Sequence, residues 1–236
     1  MRFYVTKEVF EKFPTACFGV VVVEGFKSGS PDKVSEMLSS AVATAPVTFS
    51  EGVKAHPNIT VWREAFVDMG LNPNKFLSSV EALSSRVVKT AKLPSINFVV
   101  DLVNSLSLKY VLPMGAHDIN LIQGDISLRL SRLGDKFTPF GSDQAEEVPE
   151  GEIVYADDQE VRTRRWVWRQ GERAKIQPES SSIFFPIDGF SHVNKGDVIV
   201  ARNELADLLG NMCSSVRVHF VDVDNPSIHL NQSDRL

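Results

Sequence analysis

The chain has 236 residues, 43% of them hydrophobic and 23% charged, with a net charge of −5. That length suffices for one large domain or two small ones, and the composition is globular, which sets aside disordered and fibrous classes. The acidic charge excess disfavours a protein that coats nucleic acid by bulk electrostatics, yet leaves room for a local basic patch that grips one RNA.

The chain opens Met1-Arg2-Phe3-Tyr4-Val5, with no basic segment leading into an apolar one, so no signal peptide is expected. The most apolar run, Phe18 to Val23, is too short to span a bilayer, and no membrane partner is expected. Cys17 and Cys213 have no further ligand-type cysteine at metal spacing, so neither a zinc site nor any other metal is expected. Both read as small buried hydrophobes in a reduced, cytoplasmic setting.

Ala16 to Phe26 is a continuous Val-rich run and reads as a buried strand. Ser30-Pro31 follows as an N-cap with proline at the first helical position, and Val34, Met37, Leu38, Ala41 and Val42 continue at helical spacing. Asn58 to Gly70 and Ser79 to Thr90 are further helices, with a turn at Asn72-Pro73-Asn74 between them. Pro94 leads into a fourth, Ile96 to Tyr110. From Asp125 the texture changes. Ile126 to Leu130, Glu152 to Ala156, Val161 to Arg169, Ser182 to Ile187 and Val216 to Val223 read as strands, with a helix over Asn194 to Leu209. Helices dominate the first half and strands the second, without strict alternation. This predicts an α+β fold, one domain over 1–236, with a mixed, largely antiparallel sheet flanked by helices.

Two stretches carry chemistry. On the helix from Ile96, the residues Asn97, Asp101 and Asn104 fall on one face. The stripe is either the solvated face or a buried hydrogen-bonding site that holds the neighbouring loop; short Asp and Asn side chains are poor helix-interior residues unless they bond something specific. That loop, Leu112 to Asp118, combines Pro113, Gly115 and a His117-Asp118 pair. Gly115 permits close backbone approach of a ligand, and His117 is expected to titrate near neutrality. Val161 to Arg169, read as one strand, places Arg162, Arg164, Trp166, Trp168 and Gln170 on one face and Arg165 and Arg169 on the other. Its arginines either grip phosphate while a tryptophan stacks on a base, or lie over the tryptophans with cation–π stabilisation only.

The run Ile96-Asn97-Phe98-Val99-Val100-Asp101-Leu102-Val103-Asn104, followed by Pro113-Met114-Gly115-Ala116-His117-Asp118, resembles the helix and loop of the B3/B4 tRNA-editing domain in the phenylalanyl-tRNA synthetase beta subunit. The downstream order is similar too: Arg129, then Gly134-Asp135-Lys136-Phe137, then Ile153 to Asp158. Arg164 to Gln170 looks like the variant found in free-standing members. The resemblance covers about residues 15 to 220. It implies the editing-domain fold and hydrolysis, by a positioned water, of the ester joining a wrong amino acid to tRNA. It implies no cofactor, no metal and no covalent nucleophile. The family's loop histidine falls at Gly115, and this chain carries His117 instead. The carboxylate that recognises a tyrosine hydroxyl in the synthetase falls at Glu172, with a slip to Gln170 as the alternative.

On that basis His117 and Gln170 are the candidate catalytic pair, and Asn104, Met114, Gly115, Ala116, Trp168, Arg169 and Glu172 the candidate substrate contacts. Arg86 and Lys89 (with Lys92), together with Arg165, are the candidate contacts to the acceptor end of an aminoacylated tRNA. Three functions compete: a trans-acting aminoacyl-tRNA deacylase, a non-catalytic module that binds an aminoacyl group, amino acid or nucleotide, and a small-molecule hydrolase on the same scaffold.

Overall fold

Why the run from Ala16 is apolar at every position is clear once its neighbours are placed. A computed structural model describes residues 1–27 and 29–231. In chain order its elements are β1 (Arg2–Val5), α1 (Lys7–Lys12), β2 (Ala16–Glu24), α2 (Pro31–Thr48), α3 (Pro57–Asp68), α4 (Ser79–Thr90), α5 (Phe98–Tyr110), β3 (His117–Asp118), β4 (Ile126–Leu130), β5 (Lys136–Phe137), β6 (Glu146–Glu147), β7 (Ile153–Ala156), β8 (Val161–Arg164), β9 (Arg169–Gln170), β10 (Ile183–Phe190), α6 (Lys195–Leu209), β11 (Ser215–Val221) and β12 (Ser227–His229). The α+β class and the largely antiparallel pairing are as expected. The strands, however, form two main sheets. A six-stranded sheet runs β12-β1-β4-β7-β8-β9 and a four-stranded one runs β11-β2-β10-β3, with β5 and β6 as a separate pair. Every pairing is antiparallel except β1 with β4.

β2 and β10 lie in the middle of the four-stranded sheet and are covered on both faces. Phe18, Val20 and Val22 of β2, with Phe184 and Phe190 of β10, pack toward the six-stranded sheet against Phe3, Ile126, Leu128 and Tyr155. Cys17, Val21 and Val23, with Ile183, Phe185 and Ile187, pack on the opposite side against Leu102 and Leu106 of α5 and Val198, Ala201 and Leu205 of α6. A strand buried on both faces has no place for polar alternation, hence the unbroken hydrophobic run. Close approach of α6 depends on two missing side chains: a Cβ at Gly19 would lie 2.9 Å from Val198 Cγ1, and one at Gly189 would lie 2.5 Å from Val198 Cγ2. Helices α2, α4 and α5 build a further layer around Ala41, Ala45, Val80, Val87 and Leu108.

Two local expectations are corrected. The stretch Val161 to Arg169 is a hairpin, not one strand. Arg165 and Trp166 adopt left-handed backbone, with φ of 48° and 62°, and the chain reverses so that β9 pairs back on β8. The face assignment by alternation therefore fails. Trp166 is driven into the inter-sheet core, while Trp168 stays half-buried. The polar face of α5 also has a different job. Asn97 is the N-cap and accepts from Val100 N at 2.9 Å. Buried Asp101 accepts from the Ser95 hydroxyl at 2.5 Å and from Ile96 N at 2.9 Å, so it braces the segment before the helix, not the loop after it. That following loop is held instead by the Ser107 hydroxyl, which donates to the Leu112 carbonyl at 2.6 Å.

Candidate active site

The loop after α5 runs along β10 like an extra edge strand. Gly115 N donates to the Pro186 carbonyl at 3.0 Å, and Asp188 N donates to the Pro113 carbonyl at 3.0 Å. From the other side come β7, the β8–β9 hairpin and the start of α4, which is tied to the hairpin turn by a Ser79 N to Val167 carbonyl bond of 2.8 Å. Between them lies a cavity of about 80 Å³, walled by Met114, Gly115 and His117 of the loop, Trp168, Arg169 and Gln170 of the hairpin, and Tyr155, Trp166 and Asp188 at its depth. By the same measure a water needs about 10–15 Å³, so the space holds several waters or a small side chain.

Six of the twelve expected residues thus converge, though the two stretches that carry them are far apart in the chain. Gln170 donates from Nε2 to the Ala116 carbonyl at 2.8 Å and so clasps the hairpin to the loop. Trp168 has three guanidiniums near its ring, those of Arg165, Arg169 and Arg164, at 4.3, 5.2 and 6.0 Å from the centroid. Arg169 is exposed at the mouth. At Gly115 a Cβ would lie 3.4 Å from the nearest atom, Pro186 Cγ, an ordinary contact; the backbone there does not require glycine.

His117 departs from expectation. It is buried, and it packs against Tyr155 and Phe184 with ring centroids 6.0 and 5.8 Å away. Burial first, and the Arg162 guanidinium second, pull its pKa down to about 3. The ring is therefore neutral throughout the physiological range and does not titrate near neutrality. Its Nδ1 is buried without a hydrogen bond among the described residues.

Other expected residues lie outside this cavity. Asn104 and Arg86 line an adjoining cavity of about 250 Å³ that shares Ser79 and Met114 with the first. Arg86 also borders a groove of about 840 Å³ between α2 and the α4–α5 connection, together with Lys92. Lys89 is exposed on α4. Glu172 faces away: it accepts from Gly141 N at 2.9 Å and pairs with Lys175. Arg165 is largely covered, its guanidinium 3.9 Å from the Phe76 ring centroid and 3.4 Å from Glu152. Arg162 and Arg164 are buried and paired with Asp157, Glu152 and Glu146, so neither is free to grip phosphate.

Tyr155 and Asp188 were not singled out in the sequence. Asp188 is 3% exposed. Its Oδ1 accepts from the Tyr155 hydroxyl at 2.6 Å and from Trp166 Nε1 at 2.9 Å. Burial pushes its pKa up to about 7, against the two hydrogen bonds that pull it down, and burial beside Asp188 holds the Tyr155 hydroxyl well above its usual range. The available signal was a lone carboxylate inside the apolar run Ile183 to Phe190.

Residues 61–214 match the family described as the B3/4 domain. The chain belongs to the B3/4 domain family. Every residue of the cavity wall falls within the matched span. Over 121 residues the B3/4 chain is 30% identical to the phenylalanine–tRNA ligase beta subunit of Fusobacterium nucleatum, an alignment covering 51% of this chain and 15% of that protein. Its fold is similar to an N-terminal fragment of the phenylalanyl-tRNA synthetase beta subunit from Pyrococcus horikoshii, with a TM-score of 0.50 and 11% identity, over 94% of this chain and 53% of that one. The chain thus spans a small part of the curated relative and about half of the solved fragment. At that identity the structural likeness is one of fold. Among the described residues no helix is long and apolar enough to cross a membrane.

Proposed function

We propose that this B3/4 chain is a hydrolase that acts in trans, in the cytoplasm, to remove a wrong amino acid from mischarged tRNA. The observation that supports this reading best is the cavity itself. It gathers His117, Gln170, Met114, Gly115, Trp168 and Arg169 from two separated stretches around a space of side-chain size.

In this reading the aminoacyl group enters the cavity, and the terminal adenosine rests at its mouth against Trp168 and Arg169. The preceding phosphates follow the adjoining cavity past Asn104 toward Arg86, with Lys89 and Lys92 close by on the surface. A water held by hydrogen bonds to His117 and Gln170 attacks the ester carbonyl. A C–O bond forms, the ester C–O bond breaks, and the ribose hydroxyl leaves with a proton. His117 is neutral and a very weak base, so its share is to position the water rather than to take up its proton. The reading calls on no cofactor.

That weak basicity also favours a second reading, a module that holds an aminoacyl group without cleaving it. Deacylation of a panel of mischarged tRNAs by the full chain separates them. Release of at least one amino acid, slowed by His117→Ala or Gln170→Ala, supports the hydrolase. Tight, salt-dependent tRNA binding without turnover supports the module. Neither hydrolysis nor tRNA binding at low salt refutes both.

A further inference from the structure

Asp188 occupies a position where the strand pattern calls for an apolar side chain. Along β10, Phe184 and Phe190 point into the inter-sheet core, and Asp188 shares their face. Six carboxylates are buried among the described residues. Asp157 and Glu160 pair with Arg162, and Glu81 pairs with Arg63. Asp101 and Asp118 have no cation, but each accepts hydrogen bonds on both oxygens. Asp188 differs from all five. It forms no ion pair with any described residue, both its bonds fall on Oδ1, and no described residue donates to Oδ2. A buried carboxylate so poorly compensated calls for a partner, and Asp188 lines the cavity where one could enter.

The walls narrow down that partner. Tyr155, Trp166, Trp168 and His117 present aromatic rings, whose faces attract a cation. An ammonium group supplies the missing countercharge, donates to Oδ2 and stacks against those rings. The mouth has the opposite preference: Arg169 is exposed there and suits an anion. A ligand with an ammonium at its inner end and a phosphate at its outer end fits this polarity. We infer that Asp188 is the anchor for the primary ammonium group of an aminoacyl ligand seated in this cavity. The word aminoacyl rests on the function proposed above; recognition of the ammonium does not depend on hydrolysis.

The pH dependence can be read because the surrounding groups are silent. Sharing the cavity with Asp188 are Tyr155 from β7, His117 from the loop and Arg169 from β9, while Cys17 of β2 lies on the other face of the sheet. His117 sits at about 3 and Cys17 at about 11, with Tyr155 pushed up, so these three do not change charge near neutrality. Ammonium binding strengthens as pH rises and Asp188 ionises, then weakens as the ligand's amine loses its proton, near about pH 8 for an α-amino group.

The test titrates the full chain with methyl esters of alanine, serine, valine and tyrosine, and with the matching 2-hydroxy acid methyl esters, by calorimetry or NMR. The expected result is that an amino ester binds roughly tenfold or more tightly than its hydroxy counterpart, with an affinity maximum between about pH 7 and 8. Asp188→Asn, which keeps an acceptor for Tyr155 and Trp166, removes that preference. Equal affinity for the two series, a preference that survives in Asp188→Asn, or no binding of any ester overturns the inference. Should the variant fail to fold, the wild-type comparison of amine and hydroxyl still decides. Hydrolysis is scored separately with aminoacyl- and hydroxyacyl-tRNA. An amine preference without hydrolysis keeps the ammonium site and removes the enzyme. Equal hydrolysis of both tRNAs keeps the enzyme and removes the site.

Discussion

Replacing Asp188 with asparagine is expected to stabilise the protein at neutral and alkaline pH. The carboxyl ionises at 3.8 in a free side chain and at about 7 in the fold. At about 1.4 kcal/mol for each pH unit between the two, ionised Asp188 costs the folded state about 4 kcal/mol. The sign follows from which state holds the proton. Below about pH 4 both folded and unfolded chains are protonated, and the group contributes nothing. Between about pH 4 and 7 the unfolded chain has lost its proton while the fold retains it, so stability falls as pH rises; above 7 the penalty is constant. Asparagine never ionises. The stability of Asp188→Asn relative to wild type therefore rises by about 4 kcal/mol from pH 4 to 8. Its amide nitrogen replaces Oδ2, which has no described partner, but any cost of that does not vary with pH. His117 acts in the opposite direction, losing stability as pH falls, yet it is present in both proteins and cancels in the difference. Urea denaturation at several pH values from about 4 to 8 measures the effect. A difference between the two proteins that stays flat with pH would falsify the account of Asp188 as an uncompensated buried acid. The same account predicts that this stabilised variant loses amine binding, the usual exchange at a functional site.

His117→Gln should make the protein less sensitive to acid. The native ring titrates at about 3 in the fold against 6.5 free, so wild type loses about 4 to 5 kcal/mol between those pH values as the unfolded chain takes up the proton first; equal acid midpoints for the two proteins would contradict this. Arg162→Met removes the partner of Asp157 in a site where Arg162 is 1% exposed, and should cost about 3–5 kcal/mol in urea denaturation. A loss below about 1 kcal/mol would mean that the pair does not hold the hairpin base. Gly189→Ala places a Cβ 2.5 Å from Val198 Cγ2 and should cost about 1–3 kcal/mol, part of which Val198→Ala restores in a double-mutant cycle. Additive losses would show that the two side chains do not compete for that space.

Much of the scaffold was written in short-range signals. Pro31 after Ser30 starts α2, and the unbroken valines of β2 announce a strand covered on both faces. These features act within a few residues of themselves, so they survive without knowledge of the fold. The loop from Pro113 to Asp118 was also singled out, and it forms one wall of the candidate cavity. Other features had no local signature. The reversal at Arg165 and Trp166 uses left-handed backbone in residues that seldom adopt it, and it is held by Trp166 burying among Phe13, Phe18 and Trp62 from other elements. β1 was not foreseen as a strand, because its partners β4 and β12 come from the middle and the end of the chain. Whether the arginines of β8 grip phosphate or serve the fold was open in the sequence, and only the approach of Asp157, Glu152 and Glu146 decided it. The fate of Asp188 was decided by tertiary structure alone. A carboxylate in an apolar strand acquires its altered acidity only when Tyr155, Trp166 and the inter-sheet core enclose it, since desolvation is set by everything around a charge and not by its neighbours in sequence.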